Sequence, residues 1–411
     1  MTTARARPIG GPIFTPFSKF LVLLLALGAP VLAARFVLGL GATTAMSDGY
    51  PWGIWIAVDV VVGTGLASGG YALALLVFVL NRGRYHPLVR PALLTSLLGY
   101  SAAGLAVVFD LGRYWNLWKV PLMPWNWNGN SILLEVALCM MAYTAVIALE
   151  LSPAYLERLA ERGRPGAAAR AARWGPRIER ALPFVIGLGM VLPTMHQSSL
   201  GSLLLVAGLK VHPLWYTGLL PLLFLLTALS MGYAIVYVET IFAGVGFRRP
   251  VEVKLLGSLG RVVSGTLLAF LVVRLGALAA SGRLGLTLTS GRLSFFFWAE
   301  TLLLLAGAIL FLRPAARHDA GVQLQAALLA LAGSALYRVD AFLVAFDPGP
   351  SWRYFPSLGE MAVTVGLVAT ETLLYLVAVR RLPILAGAGQ LPPRTTPAGA
   401  VAGAAGEGAR P

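Results

Sequence analysis

The chain has 411 residues, 58% of them hydrophobic and only 12% charged, with a mean hydropathy of +0.78. That composition excludes a soluble domain and describes a polytopic membrane protein, because many runs reach the roughly 20 apolar residues needed to span a bilayer. The net charge of +15 is read as basic cytoplasmic loops rather than a nucleic-acid surface; the single Cys139, mid-span, excludes disulfides and a cysteine-ligated iron–sulfur cluster within this chain.

Ten spans are predicted, at about 18–40, 53–80, 91–111, 130–151, 181–206, 214–243, 256–280, 292–312, 321–345 and 357–379. The fold class is an all-α integral membrane protein. Spans 2–5 and 6–9 suggest two four-helix bundles of the same orientation, with flanking helices. Of the 32 Lys and Arg, 23 fall in the terminal segments and even-to-odd connections, 6 fall in the opposite five loops, and Arg35, Arg274 and Arg338 lie in spans. This asymmetry predicts that both termini are cytoplasmic. Arg5 and Arg7 precede a long apolar run without a clear cleavage site, so the first span is expected to be retained.

In span 2, Asp59 lies six residues past the outer start, roughly 9 Å deep at the helical rise. Gly63, Gly65, Gly69 and Gly70 follow and read as small-residue packing positions. Span 3 carries Tyr100 and ends at Asp110. The connection to span 4, DLGRYWNLWKVPLMPWNWNGNSILLE, holds Tyr114 and four Trp at headgroup level, between Asp110 and Glu135. It reads as the outer lip of a small-molecule site, with an Asp110–Arg113 ion pair as the plain alternative. In span 4, Glu135, Tyr143 and Glu150 share a face and reach across roughly 22 Å by the rise per residue.

The connection 152–180 reads as a short surface helix, a Gly/Pro break and an Arg-rich headgroup-binding piece. Span 5 contains LPTMHQSSLG, where Pro193 frees a carbonyl and Gln197, Ser198 and Ser199 are placed to re-satisfy the backbone. His196 is the only one of four histidines inside a span; His86 and His318 fall in cytoplasmic loops and His212 in an outer one. A membrane b-type haem typically needs two axial histidines within the bilayer, so no haem b is predicted. Glu239 follows Tyr233 and Tyr237 near the inner end of span 6. In span 10, Glu360, Thr364, Glu371 and Tyr375 share one face. These acids read either as a proton relay or as partners of Arg274, Arg338 and loop arginines. Asp340 and Arg338, two residues apart, do not share a helix face. Residues 1–390 are taken as the membrane domain and 391–411, rich in Pro, Ala and Gly, as a disordered cytoplasmic tail.

Asp59, Asp110, Glu135 and His196 therefore lie on spans 2–5 in one half of the bilayer, with Tyr100 and Tyr114 as further donors. An apolar channel with a His, a carboxylate and a phenol suits a neutral, redox-active quinone, whose oxygens need proton-exchanging partners. No metal-ligand cluster or nucleophile triad is legible. GTGLASGG in span 2 has no Lys and is no phosphate loop.

Several long blocks carry a family resemblance: YPWGIWIAVDVVVGTGLASGGYAL (50–73), NRGRYHPLVRPALLTSLLGYS (81–101), DLGRYWNLW (110–118), LLEVALCMMAYTAVIALELSP (133–153), LPTMHQSSLGSLL (192–204) and VHPLWYTGLLPLLFLLTALSMGYAIVYVE (211–239). They resemble the membrane subunit of hydrogenase-2-type nickel–iron hydrogenases (HybB-like), within the NrfD-like family of polysulfide-reductase membrane subunits (PsrC-like). The resemblance covers about residues 20–380, weakens in spans 7–8 and fades at the tail. It implies a haem-free bacterial inner-membrane subunit of eight to ten helices. Such a subunit exchanges electrons with a periplasmic ferredoxin-like iron–sulfur subunit of a hydrogenase or molybdenum enzyme and binds menaquinone or ubiquinone near the outer face. It also implies Asp59, Tyr100, Asp110, Glu135, His196 and Glu239 as candidates for quinone or proton handling. Proton delivery from the cytoplasm through Glu239, Tyr143, Glu150 and Glu371 would make turnover electrogenic. Two other readings remain at this point: a secondary transporter, and a purely structural anchor of a periplasmic enzyme.

Overall fold

The computed structural model describes residues 6–161 and 165–385. Ten helices among these residues are long and apolar enough to cross a membrane. They are α1 (Pro16–Leu38), α2 (Trp55–Val79), α3 (Gly83–Asp110), α4 (Ile132–Glu161), α5 (Pro165–Ala207), α6 (Leu220–Gly246), α7 (Val253–Ala280), α8 (Arg292–Leu312), α9 (Ala320–Val344) and α10 (Leu358–Arg381). The protein is thus an all-α integral membrane protein, as its composition requires. Polar starts are built locally. Thr15 and Ser18 form a capping box on α1, Ser357 and Glu360 form one on α10, and Asp319 caps α9 through the Gly321 and Val322 N–H groups.

Helix α2 packs on α3 and α6, α3 on α4, α4 on α5, and α5 on α6. Helix α6 also meets α7 and α9, which both meet α8, while α1 lies along α10. The backbone of Ile9 and Gly10 bonds to that of Val379 and Arg380, so the described ends lie on one face, here the termini face. The 111–131 connection lies on the opposite face, the Trp face, where Trp115, Trp118, Trp125 and Trp127 are all exposed.

Three departures from regular α geometry matter. Trp55–Val62 and Leu75–Val79 in α2, and Asp340–Val344 in α9, are π-helical. Such turns release carbonyls from the usual ladder and recur at functional sites. In α2, Thr64 and Ser68 hydroxyls take up the Val60 and Thr64 carbonyls.

The structure redraws two boundaries. Helix α4 runs through Pro153 to Glu161, and α5 starts at Pro165 and passes Pro176, Pro183 and Pro193. The 152–180 connection is therefore two long helix ends, not a short helix and a loose Arg-rich piece, because apposition of α4 on α5 outweighs the lost bond at each proline. Residues 162–164 of the expected break, and the tail from 391, lie outside the described residues. Span 6 begins at Leu220, not 214, since Pro221 sits in its first turn. Residues before it are strapped to the end of α9 by a Val211–Phe346 bridge and a His212 N–H to Ala345 carbonyl bond.

Candidate functional site

Two buried polar groups emerge on the α2–α5 side. The first centres on α5. Its Pro193 cannot donate to the ladder, and Thr194, Ser198 and Ser199 hydroxyls donate to the Met190 and Met195 carbonyls, so polar atoms cluster where the helix would otherwise be apolar. His196 is fully buried, with Nδ1 3.3 Å from the Val136 carbonyl of α4. A carbonyl only accepts, so Nδ1 carries the hydrogen and Nε2, buried without a partner, is left to take up or release a proton. The Tyr100 ring lies 5.4 Å from the imidazole and 4.6 Å from the Tyr143 ring.

Gln197 Nε2 donates to the Tyr100 hydroxyl at 3.2 Å, and its Oε1 accepts from Arg338 Nη2 at 2.9 Å. Arg338 of α9 is fully buried and donates further to the Val61 and Phe224 carbonyls and to Thr227 Oγ1. It thus ties α2, α5, α6 and α9 together. Gly65 is one of the few glycines whose smallness is required here, because a Cβ would lie 2.9 Å from Met231 Sδ and 3.1 Å from Arg338 Cζ. Gly65 thus makes room for a guanidinium, whereas Gly69 and Gly70 lie at close helix contacts, against Gly232 of α6 and Leu93 of α3.

On the Trp face, a cavity of about 410 Å³ opens between the start of α4 and the end of α5. Trp52, Leu133, Leu203, Val206, Lys210 and Phe346 are among its lining residues. Leu203 lies seven residues beyond His196 on the same helical face, about 10 Å along the axis. The lip of this cavity is therefore Trp52 with Asn128, Asn130 and Ser131, rather than the four Trp of the connection.

The second group lines the junction of α2, α3 and α10. Asp59, in the π-helical turn, accepts a 2.8 Å bond from Thr364. Glu371 fits where Gly99 of α3 meets Ala67 of α2: a Cβ on Gly99 would lie 2.6 Å from Ala67 Cβ and 3.2 Å from Glu371 Oε1. Tyr375 donates to Glu239 at 2.6 Å. Glu239 in turn lines a cavity of about 110 Å³ on the termini face, with Pro87, Pro91, Thr240 and Glu252. The shared face of Glu360, Thr364, Glu371 and Tyr375 is thus turned inward, toward α2, α3 and α6. Glu360 itself is held at the helix start, where it accepts from the Tyr354 hydroxyl and from the Ala45 and Ser357 N–H groups. Burial and the Glu360 carboxylate raise the Tyr354 phenol above its ordinary range, so it stays a donor.

The candidates read from the sequence divide accordingly. Tyr100, Tyr143 and His196 come together; Asp59, Glu371 and Glu239 belong to the junction. Asp110 lies near Arg35 and Glu360 rather than Arg113, and Tyr114 packs edge-to-face against Phe36 beneath the Arg35 guanidinium. Arg35 donates to the Phe109 and Leu111 carbonyls, closing the end of α3. Glu135 is exposed in the first turn of α4, where a carboxylate is favoured by the helix dipole, and does not line the cavity. Glu150 faces α5, its Oε1 occupying the space a Cβ on Gly189 would need. The shared face drawn for Glu135, Tyr143 and Glu150 therefore splits, the last two pointing inward. Arg338 and Gln197 join the site as well. An arginine in a span with no acid on its own face must find carbonyls or amides inside the bundle, and that signal was present. Glu300, an acid within a span, pairs with Arg274 of the neighbouring helix.

Buried titratable side chains and a largely apolar cavity, on ten candidate spans, define a multi-pass membrane protein with a polar interior. The chain belongs to the family described as polysulphide reductase, NrfD, whose profile matches residues 42–344. It is 43% identical over 385 residues to the probable Ni/Fe-hydrogenase 2 b-type cytochrome subunit of Escherichia coli strain K12, covering 92% of this chain and 95% of that one. It is 28% identical to the menaquinone reductase integral membrane subunit of Nitratidesulfovibrio vulgaris, covering 84% of this chain and 86% of that protein. It is also 26% identical to a selenate reductase subunit of Mesobacillus selenatarsenatis, over 53% of this chain and 54% of that protein.

The words "b-type cytochrome" in the first relative's name pose a test of fit. His196 is fully buried beside Tyr100, while His86 and His318 are exposed and His212 sits in the connection before α6. Only His196 is buried within a span, so the histidines do not supply the intramembrane pair that a bis-histidine haem uses.

Proposed function

We propose that the protein is the haem-free, quinone-reactive membrane subunit of a respiratory oxidoreductase of the bacterial inner membrane. It passes electrons between an iron–sulfur subunit on the Trp face, that of a nickel–iron hydrogenase, and menaquinone or ubiquinone. The Trp face is periplasmic on this reading, following the Lys and Arg asymmetry, and both termini are cytoplasmic. The family and the menaquinone reductase relative support the quinone. The placement of the histidines supports the absence of haem.

The observation that carries the reading is the partnerless His196 Nε2, set beside Tyr100 behind the α4–α5 cavity. A quinone taking two electrons takes two protons with them. Once protonated, His196 Nε2 is placed to donate to one quinone oxygen and pass its proton there. Tyr100, fixed by Gln197 and Arg338, is placed to donate to the ring or its second oxygen. Glu239, Tyr375, Glu371, Thr364 and Asp59 run from the termini-face cavity toward the Trp face and are the route we assign to proton refilling. The contacts among helices also support two four-helix bundles, α2–α5 and α6–α9.

The test is quinone reduction by the purified complex carrying His196→Ala, with assembly checked. A loss on the order of 10²-fold is expected from removal of a general acid–base group. Full activity in an assembled complex would leave a structural anchor as the better account.

A further inference from the structure

The α6–α9 side holds a third buried polar cluster, one that quinone chemistry does not use. Arg274 of α7 forms an ion pair with Glu300 of α8, and both are almost fully buried. The Arg274 guanidinium carbon lies 4.4 Å from the Phe297 ring centre and 4.9 Å from that of Tyr337, an aromatic enclosure that suits a fixed cation. Asp340, the first residue of the π-helical turn of α9, is 0% exposed, and among the described residues no arginine, amide or hydroxyl donor reaches either of its oxygens. Its carboxylate and that of Glu300 repel each other across the packed α8–α9 interface. The buried hydroxyls of Tyr337, Ser334 and Thr301 are also without partners.

The charge count decides what this cluster holds. Arg274 supplies one positive charge against two carboxylates. Arg338, two residues before Asp340, spends its donors on Val61, Gln197, Phe224 and Thr227. The ionisable side chains of α6 (Tyr233, Tyr237 and Glu239) lie in its termini-face half. His212, 6.2 Å from the Trp215 ring, precedes that helix, and Arg283 donates to the Tyr216 carbonyl at the rim. Two neighbouring buried carboxylates with one counter-charge do not both ionise.

We infer that Glu300 and Asp340 form a binding site for one exchangeable proton, with Arg274 as its fixed counter-charge. Its way out is the cavity of about 200 Å³ that Arg274, Trp215, Ala277 and Arg283 help to line on the Trp face. With the proton bound, Arg274 and the remaining carboxylate cancel. On release the carboxyl O–H breaks, the proton leaves on cavity water as hydronium, and the cluster carries one negative charge. No electron or co-reactant takes part, and the inference stands independently of the quinone reading.

The test is infrared difference spectroscopy of the full chain in lipid nanodiscs, exchanged from H₂O into D₂O. Asp340→Asn and, separately, Glu300→Gln are expected to remove the protonated-carboxyl intensity of one group. Ala277→Phe, which fills the cavity and leaves every ionisable side chain in place, is expected to keep that intensity but slow its exchange at least tenfold. Unchanged protonated-carboxyl intensity in both amide variants would overturn the site. Wild-type exchange in Ala277→Phe would overturn the route. Should the amide variants not assemble, the Ala277→Phe chain still decides: one slowed carboxyl supports the inference, and none overturns it.

Discussion

Arg338 shows how much of this protein rests on single buried donors. Its guanidinium satisfies two carbonyls, a hydroxyl and an amide oxygen on three other helices. Arg338→Leu would strand these acceptors, at on the order of 1–3 kcal/mol each. The expected outcome is a variant that assembles poorly and aggregates well below the wild-type temperature in a detergent melting assay. Arg338→Lys should rescue little, since an ammonium on a flexible stem does not reproduce the planar fork. His212 gives a pH dependence. Burial holds its imidazole below the ordinary histidine range, and Nδ1 accepts the Leu214 N–H, which a neutral ring allows. The unfolded chain therefore binds the proton first as pH falls, and the His212 contribution to stability is full above about pH 6.5 and shrinks below it. His212→Asn should flatten the fall of Tm between neutral and mildly acidic pH. An unchanged slope would remove His212 from the account. Sequence reading sees part of this scale: His196, Tyr100 and Asp59 stand out as polar residues in spans. Nothing in the linear order, however, says that His196 meets Tyr100 while Asp59 meets Thr364, 305 residues away.

Helix contacts turn on small residues. A Cβ at Gly232 would lie 2.6 Å from the Ser68 carbonyl oxygen, so α2 and α6 meet backbone to backbone there. Gly232→Ala should cost about 1–3 kcal/mol as an overpacking change. Gly104→Ala, where an added Cβ meets nothing within 4 Å, should be neutral or stabilise by roughly 0.5–1 kcal/mol. Thermal melts of the two variants check the contrast, and equal losses would mean that the α2–α6 contact yields. The number and order of helices were legible because apolar runs of this length have few alternatives in a bilayer. The π-helical turns were not, since a one-residue widening leaves no mark on hydropathy. Nor were the extensions of α4 and α5 beyond the bilayer, where polar composition resembles that of a loop and only the mutual packing of the two helices shows otherwise.

Across the whole molecule, polar groups are distributed between the faces rather than gathered in one site. The acids from Glu239 to Asp59 follow α10 from one face toward the other, whereas the cluster around His196 is enclosed, on a helix whose Trp-face end lines the α4–α5 cavity. If that division is functional, Glu371→Gln should lower the rate of quinone reduction several-fold while leaving the KM for quinone unchanged. In proteoliposomes it should abolish any membrane potential that accompanies turnover. A raised KM with unchanged kcat would instead place Glu371 at the quinone. Helix α5 has a different consequence. Its 43 residues span about 65 Å at the helical rise, roughly twice the hydrocarbon thickness. Sixteen of them precede residue 181, and together with the end of α4 they form a paired rod on the termini face, tied to the start of α3 by the Arg90–Glu157 ion pair. A membrane protein otherwise hidden in a detergent belt offers electron microscopy little to align on. Here the rod gives each particle a direction, distinguishing one face from the other and fixing rotation about the membrane normal.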